Sequence, residues 1–227
     1  MKPLHKYIST NVKPSMIKAN NYTIQKIVNG EVTRLGNDAD LNHIDVSEVT
    51  RMDKTFATVN SEKFHGDVST WDMHNVTEIV DMFIGCKNLA CDISEWDMSN
   101  IVVCEGMFRA CRNFNVDISK WEMPKLKYCA HLFAFCNKFN QDISNWKMDN
   151  VVDCHNMFRE CKEFNQPIGK WNLENVKSVD DMFSGCLSFD QDLSNWKLDK
   201  VDHTWDVFFQ CPITEEHKPE KCRMKKK

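Results

Sequence analysis

Several features that would place the chain in a common functional class are missing from its sequence. Its 227 residues contain no apolar run near the roughly 18 residues of a membrane-spanning helix. The first 15 residues lack a hydrophobic core, so we expect no secretory signal peptide. Neither a glycine-rich phosphate-binding loop nor a catalytic grouping of histidine, serine and carboxylate residues is present. The sequence therefore predicts a protein that is not an enzyme, needs no cofactor and does not span a membrane.

An excess of positive charge is also missing. The formal net charge is −4, which disfavours a general nucleic-acid binder. The charge is uneven, because residues 218–227 contain six Lys or Arg residues and one Glu. We interpret residues 214–227 as a basic, flexible tail without repeats, and expect any binding of nucleic acid to be weak and confined to it.

The sequence is rich, in contrast, in self-similarity. A unit of 25 residues recurs six times, and it is typified by residues 136–161. Four apolar columns follow this period: Trp71, Trp96, Trp121, Trp146, Trp171 and Trp196; Cys86, Cys111, Cys136, Cys161, Cys186 and Cys211; Phe83, Phe108, Phe133, Phe158, Phe183 and Phe208; and Val68, Ile93, Ile118, Ile143, Ile168 and Leu193. Such spacing is typical of a solenoid, in which each unit buries its apolar face against its neighbours.

The spacing of apolar residues within a unit predicts its secondary structure. Residues 151, 154, 158 and 161 stand at i, i+3, i+7 and i+10, which is one face of a helix of two to three turns. The Asp-Ile-Ser segment, for example Asp92–Ser94, predicts one short strand of a stacked parallel sheet, with isoleucine pointing inward. The expected fold is therefore an α/β repeat solenoid with one short parallel strand and one short helix in each unit.

The array sets the expected domain boundaries. Residues 1–45 are predicted to form an N-terminal cap with a β-hairpin, because Asn29-Gly30 separates two short segments in the manner of a type I′ turn. Residues 46–63 form a degenerate capping repeat, in which Met52 and Phe56 correspond to Ile79 and Phe83. The six full units occupy residues 64–213, and the tail follows.

Eleven cysteines and no signal peptide favour free thiols in a reducing compartment, which predicts a cytoplasmic protein. No Cys-x-x-Cys pair is present, and the positions equivalent to Cys104 and Cys129 hold Ile79 and Val179 in other units. A position that accepts isoleucine or valine is a core position. We therefore expect buried thiols and no metal site.

These motifs resemble the BspA-like leucine-rich repeat family, in particular its 25-residue branch of mycoplasma lipoprotein-type repeats, which also occurs in bacterial, phage and large-virus proteins. The family pattern MF-x-x-C-x-x-F-N-x-D-I-S-x-W stands here as MFRACRNFNVDISKW (107–121), LFAFCNKFNQDISNW (132–146) and MFSGCLSFDQDLSNW (182–196). The resemblance covers residues 37–213. It implies a leucine-rich-repeat-like solenoid with a binding role and no catalytic residues. Surface members carry a signal or lipoprotein sequence, so its absence here favours a cytoplasmic or virion-associated protein.

One polar column is a candidate binding site. It consists of Asp67, Asp92, Asp117, Asp142 and Asp192. Carboxylates stacked about 5 Å apart on a parallel sheet form either an acidic groove for a basic protein partner or a cation, or a set of Asx-type turns that stabilise the fold. The tryptophan column likewise allows either a buried ladder or an exposed stacking platform.

The function that the sequence favours is a non-catalytic protein-interaction module with an unidentified partner, for which the acidic column suggests basic character. A structural component of a phage or viral particle is the alternative. A third hypothesis is a glycan-binding or surface-adhesion module that uses the tryptophan column.

Overall fold

The computed structural model describes residues 15–57 and 61–224. Within them the chain forms β1 (Ile17–Lys18), α1 (Ile24–Leu35), β2 (Ile44–Asp45), β3 (Arg51–Asp53), β4 (Glu78–Val80) and β5 (Val103–Glu105). Single 3-10 turns occupy Ser61–Lys63 and Glu220–Cys222. The predicted cap, degenerate repeat and tail each extend in part over residues outside the described ranges, namely 1–14, 58–60 and 225–227.

Consecutive units stack directly on one another in parallel. Strand β1 pairs with β2, and β3, β4 and β5 form a second parallel sheet in that order. Met52 lies opposite Ile79, as the alignment of the degenerate repeat predicts, and Ile79 lies opposite Cys104. Beyond β5 the same ladder continues as isolated bridges from residue 103 to 128, 153 and 178. Each of these steps is one 25-residue repeat.

The helix predicted in each unit is wrong. Among the described residues the only α-helix is α1, and the segment that follows Val151 bonds mainly to the next unit. The N–H groups of Asn156 and Phe158 donate to the carbonyls of Asp180 and Met182, at 2.8 and 3.0 Å. Other N–H groups of the segment close i→i−3 turns instead. Since buried backbone groups need a partner, the neighbouring unit satisfies them in place of a helix.

Left-handed residues enforce this path. Two positions in each unit, four residues apart, have positive φ, as Asn156 (φ 56°) and Glu160 (φ 59°) illustrate. The first position is filled by Asp81, Gly106, His131, Asn156, Asp181 and Asp206. Asp, Asn, His and Gly tolerate this region better than other residues, and it interrupts a right-handed helix.

The strand also lies elsewhere than predicted. It precedes the positive-φ residue, as in Glu78–Val80, whereas the Asp-Ile-Ser segments form no strand and lead into a turn that begins at the serine. The isoleucine of that segment is nevertheless buried, as expected. The sequence therefore predicts correctly that this isoleucine points inward, but it predicts the wrong backbone conformation for the segment.

The hairpin predicted in the N-terminal cap is an α-helix. Asn29-Gly30 lies inside α1, because Ile24, Val28 and Val32 form one buried helical face that packs on the array. This burial outweighs the helix propensity lost at glycine, about 1 kcal/mol. Helix α1 lies beside the degenerate repeat, where the Gln25 side chain donates to the Lys54 carbonyl at 3.1 Å.

The described part of the tail, residues 214–224, packs on the last unit and so differs from the flexible tail predicted. Pro219 is buried, and the His217 carbonyl accepts the Leu193 N–H at 2.8 Å. The Lys218 ammonium lies 5.8 Å from the centre of the Phe208 ring. These contacts cover the end of the core that has no further unit to stack on it.

The aromatic columns form the centre of the core. The Phe133 ring stacks on Phe108 and Phe158, with 5.8 Å between ring centres on each side. The six tryptophans of their column are at most 5% exposed, which confirms the buried ladder. Each indole N–H donates to a backbone carbonyl of the preceding unit; Trp121, for example, donates to Ile93 at 3.0 Å. The tryptophans therefore fill the core of each unit and also connect neighbouring units.

The cysteines are free and line the core, as predicted. The thiols of Cys111, Cys136, Cys161 and Cys186 donate to the carbonyl of a phenylalanine 28 residues earlier, at 2.9–3.0 Å. Burial raises the pKa of Cys86 and of Cys104 to about 12, so these thiols stay protonated at neutral pH.

Removal of one complete unit should be tolerated. Deletion of residues 137–161 joins equivalent positions, so every contact between neighbours can re-form, and we expect a shorter folded protein with a cooperative thermal transition. Deletion of residues 137–148 is the control, because it places turns opposite bridge positions. Equal melting temperatures for the two deletions would contradict the stacking described above.

Candidate interaction surface

The acidic column consists of five equivalent turns. In each, the aspartate Oδ1 accepts the backbone N–H of the serine two residues later. The pairs are Asp67–Ser69 (2.8 Å), Asp92–Ser94 (3.0 Å), Asp117–Ser119 (2.9 Å), Asp142–Ser144 (2.9 Å) and Asp192–Ser194 (2.9 Å). All five side chains are exposed. The five aspartates therefore form Asx turns, as the structural alternative predicted, and their side chains also face solvent.

The same hydrogen bonds keep the column charged. The backbone N–H and the hydroxyl of Ser94 lower the pKa of Asp92, and Ser119 does the same for Asp117. The serine hydroxyl is the larger cause of the lowered pKa at Asp142 and Asp192. At neutral pH the column is thus a line of ionised carboxylates.

The line is interrupted in the fifth unit, where Pro167 takes the place of aspartate. The turn is then closed by the Ile168 N–H, which donates to the Gln166 carbonyl at 2.9 Å. A Cβ atom on Gly169 would lie 2.2 Å from the Asp192 carbonyl oxygen, so only glycine allows the next unit to approach this closely. The interruption separates Asp192 from the four other members of the column.

A basic side chain lies beside the acidic column near Asp92 and Asp117. Lys120 bonds to Glu95 at 2.5 Å, and its charge also contributes to the lowered pKa of Asp92 and Asp117. A shallow depression of about 500 Å³ lies between these two aspartates. Lys120 therefore neutralises part of the negative charge near Asp92 and Asp117. The column is open to solvent on both sides of Lys120.

Asparagines form a second polar column that sequence reasoning missed. Asn115 accepts the N–H of Asn140, and Asn140 accepts the N–H of Asn165, both at 2.9 Å. Asn165 in turn accepts the Asp190 N–H at 3.1 Å. Their 25-residue period was the available signal. These side chains replace main-chain bonds between units, so the polar part of the repeat motif is also structural.

A different surface runs along the parallel ladder, and we call it the strand face. Its side chains do not repeat: the bridge positions hold Glu78, Val103, Tyr128, Asp153 and Ser178. Ion pairs on it include Arg109–Asp81 and Arg159–Asp181, each at 3.0 Å. Tyr128 is 39% exposed. The strand face is thus the part of the array with the most varied exposed chemistry.

The strand face also holds a pair of histidines. The Nε2 atoms of His131 and His155 are 3.1 Å apart, and His155 Nδ1 lies 2.8 Å from Asp153 Oδ1. Burial lowers the pKa of His131, and the neighbouring His155 lowers it further. Burial likewise raises the pKa of Glu105, and the charge of Asp153 adds to the effect. The column analysis missed this pair because the two histidines are 24 residues apart instead of 25.

Comparison with known families gives one match. A family model described as "Mycoplasma protein of unknown function, DUF285" matches residues 23–136 and 124–219. The chain belongs to this family. DUF285 is a mycoplasma-type repeat family, and two overlapping matches along one chain agree with the 25-residue array. No curated protein and no solved structure matches the chain.

Among the helices of the described residues, none is long and apolar enough to cross a membrane. In residues 15–57 and 61–224, no set of three or more His, Cys, Asp or Glu side chains is arranged to hold a metal ion.

The Asx turns of the acidic column should contribute to stability in a pH-dependent manner. Asp142→Ala removes one acceptor and should lower the free energy of unfolding at pH 7 by about 0.5–1.5 kcal/mol. Because the folded-state pKa of Asp142 is lowered, this contribution is present above the ordinary aspartate pKa and is lost as pH falls through the folded value.

Urea unfolding at pH 7 and at pH 3 would measure this contribution for Asp142→Ala. Asp142→Asn serves as the control, because it keeps the Oδ1 acceptor and should lose less stability. A difference between Asp142→Ala and the original protein that grows at pH 3 would contradict the assignment.

Proposed function

We propose that the protein is a non-catalytic protein-interaction module, built as a solenoid of the BspA-like leucine-rich-repeat kind in which turns take the place of the helix. The observation that carries the proposal is the contrast between its interior and its surface. The same tryptophan, phenylalanine and cysteine positions recur inside every unit, whereas the strand face changes from one unit to the next. A fixed scaffold with varied exposed residues is the usual construction of repeat proteins that bind other proteins.

The acidic column favours a basic partner. Asp67, Asp92, Asp117 and Asp142 occupy the same position in four successive units, are exposed, and have pKa values that keep them ionised. Because each carboxylate is already oriented by its turn, no side-chain order has to be imposed when a partner binds. Lysine and arginine side chains are the complementary groups, and attraction to them weakens as salt screens the charges.

Charge removal along the column tests this proposal. The triple variant Asp92→Asn, Asp117→Asn, Asp142→Asn keeps the turn acceptors and removes three charges. A matched control, Glu122→Gln, Glu174→Gln, Asp199→Asn, removes three exposed charges away from the column. Partners captured from host lysate would be identified by mass spectrometry at about 50 and 300 mM salt, which lie on either side of physiological screening.

We expect the column variant to stay folded with a slightly lower melting temperature and to lose partners that the control retains, and we expect capture by the original protein to be salt-sensitive. If the folded column variant retains the same partners, the interface lies on another surface, and the strand face is the next candidate.

An assembly component is the second candidate, and one observation favours it. In the last unit Trp205 and Phe209 are 66% and 56% exposed, whereas the tryptophans of the core column are almost fully buried. Exposed aromatic side chains at the end of an array suit packing against a neighbouring molecule. This reading includes the structural component of a phage or viral particle.

Sedimentation analysis would test the assembly reading. If these aromatics join molecules, the protein should form concentration-dependent oligomers that Trp205→Ser with Phe209→Ser abolishes. A monomer at all concentrations, with or without the substitutions, would exclude self-assembly through this end.

A further inference from the structure

The histidine pair on the strand face brings two imidazole nitrogens from neighbouring units close together, with the rings at an angle. His131 and His155 belong to neighbouring units, and their Nε2 atoms are 3.1 Å apart. Their ring centres are 4.7 Å apart with the rings nearly perpendicular, at 81°. A straight N–H···N bond of this length would separate the ring centres by about 5.4 Å. The rings therefore meet at an angle, and a point beside the line that joins the two Nε2 atoms lies within bonding distance of both.

A metal ion fits that point. With metal–nitrogen bonds of about 2.05 Å, nitrogens at this separation subtend about 98° at a shared ion, and the ring centres would lie about 4.8 Å apart. The observed separation of 4.7 Å agrees with this value. An angle near 98° lies between those of octahedral and tetrahedral coordination, both of which divalent transition metals adopt.

We propose that His131 and His155 form a two-histidine site for Zn²⁺ or a similar imidazole-preferring divalent ion, which bridges two neighbouring units. Neutral imidazole nitrogen is a ligand that Zn²⁺, Ni²⁺ and Cu²⁺ prefer, whereas Mg²⁺ and Ca²⁺ prefer oxygen.

Asp153 supplies the orientation that such a site requires. Its Oδ1 lies 2.8 Å from Nδ1 of His155, which places the proton on Nδ1 and leaves Nε2 without one. Carboxylate–histidine–metal arrangements of this kind are common, and the carboxylate fixes both the tautomer and the ring orientation. Asp153 is therefore a positioning residue, while the two imidazoles are the ligands.

The backbone holds the two histidines in register. The His131 N–H donates to the carbonyl of His155 at 3.0 Å, so the main chains of the two residues are directly bonded. His131 has a φ of 57°, the left-handed conformation that recurs at this position of each unit. Both ligands are thus positioned before any ion binds.

The nearby charges suit a cation. Asp153 and Glu105 contribute negative charge around the pair, and Arg109, the nearby cation, is paired with Asp81. The described residues provide no third protein ligand in place, so water would complete the coordination shell. We therefore expect weaker binding than that of a structural zinc site with four protein ligands.

Calorimetric titration of the full chain with Zn²⁺, in a buffer without chelators and with a phosphine reductant, tests the site. We expect one ion per chain, and binding at least about tenfold weaker in His131→Gln and in His155→Gln. His203→Gln is the matched control, because His203 also contacts a carboxylate, that of Asp180, and its substitution should leave the affinity unchanged. A Cys222→Ser background removes the half-buried thiol nearest the C-terminus as a competing ligand.

The outcomes separate clearly. Absence of binding up to about 1 mM Zn²⁺ would overturn the proposal, and so would equal affinity in the original protein and both histidine variants when circular dichroism shows them folded. Imidazole ¹⁵N shifts provide an independent readout: saturating Zn²⁺ should move the Nε2 signals of His131 and His155 and leave His203 unchanged. Asp153→Asn should weaken binding about 10–100-fold, whereas an unchanged affinity would remove its positioning role.

Discussion

The structure depends on hydrogen bonds from one unit to the backbone of the next. Main-chain N–H groups such as those of Asn156 and Phe158 donate forward along the array, and the indole of each core tryptophan donates back to the preceding unit. A unit alone would leave these groups without partners, at a cost of about 1–3 kcal/mol for each buried one. Each unit is therefore complete only between two neighbours, which explains why helix α1 lies against the degenerate repeat at one end and the tail residues against the last unit at the other.

The sequence predicted correctly those features of the fold that depend on which side chains are buried. The period, the inward columns and the pairing of Met52 with Ile79 all follow from apolar positions, because burial depends on spacing alone. The sequence was misleading for those features that depend on backbone conformation. Apolar residues three and four apart indicate a helix, yet the same spacing fits a chain that turns at two left-handed residues. Asn29-Gly30 was misread for the related reason that tertiary packing outweighed a local turn signal.

The polar surface was only partly predictable. The acidic column was found because it repeats, and the structure gives its aspartates turn-forming hydrogen bonds together with exposure. The histidine pair was not found, because column analysis compares equivalent positions and these residues occupy adjacent ones. A repeat brings together residue i of one unit and residue i−1 of the next as closely as true equivalents. Sites that depend on such diagonal contacts require coordinates.

The thiol column has a consequence for the surroundings that the protein tolerates. Four buried S–H groups each donate to a phenylalanine carbonyl of the unit before. A sulfur that is oxidised or alkylated gains volume in a close-packed interior and can lose its role as a donor. Because all four lie between neighbouring units, such damage would separate units instead of altering a surface. Because burial keeps these thiols protonated, they react slowly in the folded array and become vulnerable to oxidation when units separate.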